Sequence, residues 1–238
     1  MGTVKNGSCK VRYLYNSGFV VETAEHVLIF DLCELSEFVN DDLVSDRKVI
    51  FFVTHNHSDH FDPHIYQWDC KDGVQYVIHR DVATSKDANI LLVEADEQYS
   101  LEGIAVQTFG STDRGVSFLV EVNGLSLFHS GDLNWWKWKN DSVEIQNKEE
   151  SAYKSEVQKL KNTPLDIAFI PVDPRLDDYH DLAVKYFADT VTVNTIIPMH
   201  FRDVVQPVED LSINWGKLGY SSKFVSLTKS GDSLDYKG

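Results

Sequence analysis

Thr54-His55-Asn56-His57-Ser58-Asp59-His60 directly follows the apolar run Val49-Ile50-Phe51-Phe52-Val53. Three imidazoles and a carboxylate therefore fall within six residues, at the end of what reads as a fully buried strand. Side chains leaving one strand end in this way can converge their donor atoms on one point, which is the outline of a metal site. With only nine histidines in 238 residues, this spacing is a stronger signal than a polar loop that happens to be rich in His.

The strand before this loop sets the scale of the fold. At 238 residues the chain is long enough for one large core, and no Pro/Gly/Ser-rich linker divides it, so residues 1–238 are expected to form one domain. Lys and Arg number 22 against 37 Asp and Glu, a formal charge of −15, with the acids spread along the chain. Such a field repels polyanions, so neither nucleic acid nor an acidic membrane is an expected partner. Three cysteines, Cys9, Cys33 and Cys70, form no C-x-x-C pair and read as small buried thiols. Together with the lack of an apolar signal core, they suit a cytoplasmic protein.

Outward from the loop, alternating runs at 10–15, 19–23 and 26–31 read as strands entering a sheet, the last closed by Asp31. A carboxylate there is either an acceptor that orients the histidine loop or a turn-initiating Asp. Asp62 and Pro63 start a short helix to about Trp68, and residues 75–78 form a buried strand. Residues 81–103 are ambiguous. Strands return at 104–109, 116–122 and 125–129, the last two joined by Asn123-Gly124, a strong hairpin signal. Beyond Asp132 the pattern becomes helical over 145–161, extended over 167–171, helical from Leu176 to Phe187, and extended over 195–199, where it delivers His200. The tail reads as a further helix and edge strands.

Sheets with helices on their outer faces make a layered α/β sandwich. In it His55, His57, Asp59 and His60 follow one strand, Asp132 another, Asp173 a third and His200 a fourth. Strand ends at one edge of such a structure are where ligands and metals sit.

The H-x-H-x-D-H at 55–60, Gly131-Asp132 in a strand exit and Pro198-Met199-His200 resemble the metallo-β-lactamase superfamily over nearly the whole chain. In order and length they look most like its compact metal-dependent hydrolases related to the ascorbate-6-phosphate lactonases. The resemblance implies a four-layer αββα sandwich (α/β, or α+β in some schemes) with a metal cleft at one edge. It implies a first metal position at His55 and His57, a second at Asp59, His60 and His200, a bridging Asp132, and a support at Asp31. It also leaves a gap. The family normally places another His after the strand at 104–109, where this chain has Gly110-Ser111-Thr112-Asp113-Arg114. Ser111, Asp113 or water is expected to fill the first position weakly, which makes the second the tighter one. His180 is a further candidate stand-in, and His129 a neighbour that binds no metal.

The donor set suits one or two divalent ions, Zn first, with Mn or Fe as alternatives. Such an ion lowers the pKa of its water from about 15.7 toward about 7 and so makes a hydroxide nucleophile at neutral pH. The expected activity is hydrolysis of an ester, lactone, amide or phosphoester of a small molecule, with Asp59 and His200 as catalytic residues. An oxidoreductase or dioxygenase on the same scaffold, and a binding module without turnover, remain alternatives. Trp135 and Trp136, with Trp138 and Lys137 beside them, are either walls of the substrate site or core. Arg114 and Arg202 are either partners for an anionic substrate group or structural ion pairs.

Overall fold

The computed structural model describes residues 7–40, 47–68, 72–84 and 89–238. Two seven-stranded sheets face each other. The first sheet contains β1 (Ser8–Tyr13), β2 (Phe19–Glu22), β3 (His26–Phe30), β4 (Lys48–Val53), β5 (Val74–His79), β6 (Ile90–Val93) and, at its other edge beside β1, β14 (Ser233–Lys237). The second runs in sequence order from β7 (Gln98–Leu101) through β8 (Ile104–Phe109), β9 (Ser117–Val122), β10 (Leu125–His129), β11 (Leu165–Pro171) and β12 (Val193–Met199) to β13 (Lys223–Phe224).

Each sheet is antiparallel in one half and parallel in the other. β3, β4, β5 and β6 run parallel in the first, and β10, β11, β12 and β13 in the second. The central parallel strands are apolar: β4 is buried from Val49 to Val53 and β11 throughout, as strands covered on both faces must be. Phenylalanines lock the two sheets together, with Phe19 and Phe169 at 4.4 Å and Phe52 and Phe118 at 5.2 Å between ring centroids. Full burial of each such ring contributes roughly 1.5–3 kcal/mol.

Helices α1 (Val143–Gln158) and α2 (Leu182–Thr190) cover the outer face of the second sheet through Tyr153, Val157 and Phe187. Among the described residues, the first sheet is covered by the 3-10 helix Pro63–Trp68 rather than by an α-helix; it stacks Trp68 on Phe51 at 5.6 Å. α3 (Gln206–Asn214) precedes the edge strand β13. The ambiguous stretch supplies β6 and β7, which end the two sheets. The helix expected from Leu176 to Phe187 is two elements: the 3-10 helix Pro174–Tyr179, kinked at Asp177 (φ 51°), and then α2.

Cys9 is buried as expected, and burial next to Asp166 pushes its thiol up to about 12. Cys33 is only partly buried in the loop after β3, and Cys70 lies outside the described residues. No helix of the described residues is long and apolar enough to cross a membrane.

Candidate metal centre

The carboxyl ends of β3, β4, β10, β11 and β12 lie at one edge, and the polar residues that follow them meet there. The turns are tight. Asp31 (φ 41°) and His200 (φ 63°) both take left-handed backbone immediately after their strands, a conformation that costs about 1–3 kcal/mol at a residue with a side chain. Gly131 and Gly115 let two loops pack on Thr54; a Cβ at Gly115 would stand 1.9 Å from the Thr54 carbonyl oxygen.

Asp132 is the centre of the arrangement, and its two oxygens face different groups. Oδ2 lies 3.3 Å from His55 Nε2 and 3.9 Å from His57 Nδ1, while Oδ1 lies 3.0 Å from His60 Nε2 and 3.2 Å from His200 Nε2. Asp59 Oδ2 is 3.6 Å from His200 Nε2. Two clusters with metal-ligand spacing result: His55, His57 and Asp132, and Asp59, His60 and His200.

His55 Nε2, His60 Nε2, His200 Nε2 and Asp132 Oδ1 are buried, yet none makes a hydrogen bond despite separations near 3 Å. Buried polar atoms without partners are expensive. Four of them in one place, three borderline imidazole nitrogens and a hard carboxylate oxygen, fit a divalent ion.

The far side of each imidazole explains its orientation. His60 Nδ1–H donates to Asp31 Oδ2 at 2.7 Å, and His200 Nδ1–H donates to Asp173 Oδ2 at 3.0 Å. Asp31 also accepts from Thr54 N and Thr54 Oγ1, each at 2.8 Å. The hydroxyl's proton is thereby committed, so His55 Nδ1–H donates to Thr54 Oγ1 at 3.0 Å. With Nδ1–H committed to an acceptor in all three rings, Nε2 is the nitrogen turned toward Asp132 and the one an ion would take. His57 differs: it presents Nδ1 and is 36% exposed.

The electrostatics follow the same layout. Burial pushes the Asp132 carboxyl up, but His60, His55 and His200 outweigh it and hold the group well below its ordinary range. Burial pushes His60 down, but the flanking Asp132 and Asp31 carboxylates raise it to about 10 in the metal-free protein. The nearby His200 ring, with His60, holds Asp59 low against burial and the neighbouring Asp132. For Asp173, burial is outweighed by His200 and Arg175, which leave it at about 2.

In front of the donors lies a cavity of about 450 Å³ whose lining includes Trp136, Trp138, Arg175, Arg202, Asp113 and Glu149. The indoles of Trp136 and Trp138 are parallel at 6.0 Å, with the Arg175 guanidinium 5.8 Å from each. Arg202 Nη2 donates to Asp59 Oδ2 at 2.9 Å. Burial, partly offset by Lys148 and reinforced by Asp141 and Asp113, pushes Glu149 up.

Of the residues expected at the site, the structure brings together His55, His57, Asp59, His60, Asp132, His200, Asp31, Asp113, Asp173, Trp136 and Arg202. Others stand apart. Trp135 turns into the core against Tyr153, and a tight turn in which Lys137 N donates to Trp135 O follows it and separates it from the cavity-lining Trp136. Arg114 is exposed and outside the cavity, and Ser111 spends its oxygen on Asp113 N at 3.3 Å. His180 does not reach the donors: the kink at Asp177 makes it a C-cap, and its Nδ1–H donates to the Asp177 carbonyl at 2.6 Å. His129 lies behind the site as a neutral ring, its Nε2–H donating to Ser17 O at 2.8 Å and its Nδ1 accepting from Gly131 N.

Trp138, expected beside Trp135 and Trp136, lines the cavity, whereas sequence reasoning missed Arg175, Asp141, Glu149 and Asn16. Asn16 donates to the Asp59 carbonyl oxygen and carboxylate at 3.3 and 3.4 Å, and its own carbonyl accepts from His200 N at 3.0 Å. Only Arg175 had a local signal, its place two residues after Asp173 at a strand exit.

Neither a family model nor a curated protein matches the chain by sequence. Solved structures do resemble it. Igni18, a metallo hydrolase from the archaeon Ignicoccus hospitalis, superposes with a TM-score of 0.68 at 16% identity, over 96% of this chain and 98% of that one. The metallo-β-lactamase fold protein YhfI from Bacillus subtilis gives 0.65 at 10% identity, over 97% and 100%. CmlA, a diiron β-hydroxylase from Streptomyces venezuelae, gives 0.60 at 12% identity, over 100% of this chain and 55% of its own length. At such identities the likeness speaks to architecture, and the two mixed sheets meeting at one polar edge have the metallo-β-lactamase fold.

Proposed function

We propose that this protein is a metal-dependent hydrolase acting on a small molecule with an anionic group, its 238 residues working as one domain. The observation that carries this reading is the set of four unpartnered buried donor atoms on His55, His60, His200 and Asp132. His55, His57 and Asp132 would hold a first ion, and Asp59, His60 and His200, with Asp132 shared, would hold a second. A bound divalent ion supplies Lewis acidity and a water acidified to about pKa 7.

The chain's own groups do the rest. Asp59, kept ionised by His200 and paired with Arg202, is too weak a base to take a proton at neutral pH and orients the nucleophilic water instead. His200, fixed by Asp173, acts through position and charge. The Arg175 and Arg202 guanidinium groups stand where negative charge develops on the substrate, and Trp136 and Trp138 provide a flat apolar wall.

The motif order favours the branch related to the ascorbate-6-phosphate lactonases, and the free thiols of Cys9 and Cys33 suit a reducing compartment such as the cytoplasm. Metal analysis of the purified protein, combined with ester, lactone and phosphodiester substrates, tests the reading. It expects bound transition metal, chelator-sensitive turnover of one class, and loss of that turnover in Asp59→Ala. A protein that neither contains nor takes up a transition metal is not such an enzyme. The carboxylate-rich donor set favours one second reading, an iron-dependent oxidoreductase, which would consume oxygen with its substrate.

A further inference from the structure

Where the resemblance calls for an imidazole opposite His55 and His57, the structure offers a carboxylate. We propose that Asp113 completes the first metal position, so that each side of Asp132 presents two imidazoles and two carboxylates. This rests on the metal reading above.

Asp113 Oδ2 stands 3.9 Å from His57 Nδ1, the same separation as Asp132 Oδ2 from that atom, and Asp132 Oδ2 lies 3.3 Å from His55 Nε2. Two donors each about 2.0–2.2 Å from a common ion lie roughly 3–4.3 Å apart, so Asp113 already has ligand spacing to His57, and its exposed side chain has only to close on His55 and Asp132, which with His57 form the metal-spaced group. A second observation points the same way: His55 Nε2 is fully buried and unpartnered, with its lone pair fixed toward this point by the hydroxyl of Thr54. Among the described residues the Asp113 carboxylate has no hydrogen-bond donor and no Lys or Arg partner.

The loop around it is anchored on both sides. Thr112 Oγ1 donates to Asn134 O at 2.6 Å and accepts from Asn134 N at 2.9 Å, which ties residue 112 to the Asp132 turn. Val116 N donates to Thr54 O at 3.2 Å, and Gly115 permits that approach. Residue 113 is therefore held between the Asp132 turn and the histidine loop.

The consequence is a change in metal preference. Replacing an imidazole by a carboxylate hardens the donor set, which moves the first position from Zn toward Mn or Fe. It also sets three ligand carboxylates, Asp59, Asp113 and Asp132, against the four positive charges of two divalent ions.

Protein stripped by chelation and titrated separately with Mn²⁺ and Zn²⁺, with ions counted after dialysis, tests this. The wild type is expected to hold two ions. Asp113→Ala should hold one, and that retained ion reports that the second position and the fold are intact. Asp113→His should hold two and shift the first position's Zn/Mn affinity ratio toward Zn by roughly tenfold or more. Two ions at wild-type affinity in Asp113→Ala, or an unchanged ratio in Asp113→His, would overturn the assignment and leave the metal reading standing. A wild type that holds one ion refutes the Asp113 site alone, and one that holds none refutes the metal reading with it.

Discussion

The two sides of the Asp132 carboxylate are built from the same donors and supported differently. On the inner side His60 and His200 each rest directly on a buried carboxylate, Asp31 or Asp173. On the outer side His55 rests on a hydroxyl that itself rests on Asp31, and the second nitrogen of His57 has no partner among the described residues. A ring backed by a carboxylate is a stronger and better oriented ligand than one backed by a hydroxyl or by water. Both positions reach the cavity, through His57 on one side and Asp59 and His200 on the other, but only the inner imidazoles are held directly by buried carboxylates.

The largest effect should come from the group both sides share. Asp132→Ala is expected to abolish retention of both ions and lower turnover by roughly three orders of magnitude. Elemental analysis beside activity checks this; a variant that kept one ion at wild-type affinity would mean that the two sides do not depend on a common carboxylate.

Next in size is the support. Asp31→Ala leaves Thr54 N, Thr54 Oγ1 and His60 Nδ1 without their acceptor in a fully buried place, and removing one partner of such a set costs about 3–5 kcal/mol. Urea unfolding should register that loss, and ion affinity should fall about 10–100-fold on both sides, because His55 depends on Asp31 through Thr54. A loss confined to the inner side would break the relay.

Proton competition sharpens the contrast further. Metal-free His60 is raised to about 10 from 6.5, so its charged form stabilises the fold fully below about pH 6.5, and that contribution disappears as pH rises through about 10. An ion entering the inner side must displace this proton. Apparent affinity there should rise about tenfold per pH unit between pH 7 and 9, which competition with a chelator of known affinity measures.

Much of this was legible in the sequence, and the exceptions have physical reasons. The histidine loop, Asp31, Asp132, Asp173 and His200 all follow apolar strands, and a polar residue after a buried strand announces its place at the sheet edge without any tertiary knowledge. Asn123-Gly124 gave the β9–β10 hairpin because both residues take positive φ, at 47° and 78°. Periodicity could not tell which of two neighbouring tryptophans faces the cavity. Asn16 reads as a turn residue, and its contact with Asp59 spans 43 positions that only the folded sheet brings together. β6 and β7 were obscure because edge strands, half exposed, lack the clean alternation of β8. His180 misled because one residue, Asp177, breaks a pattern that otherwise continues as a helix.

The smallest expected effect on stability is also the one that separates the two sides most cleanly. His57 is 36% exposed, meets only the edge of the His55 ring at 4.4 Å among aromatic contacts, and its loss leaves no buried group unpaired. His57→Ala should therefore change unfolding free energy by no more than about 0.5 kcal/mol. The same substitution removes a donor from the outer position alone, so one ion should be lost and the other kept. Graded chelation of the wild type should reproduce that order, the outer ion leaving first. If the retained ion in His57→Ala exchanged as fast as the one lost, burial behind Asp31 and Asp173 would not be what holds it.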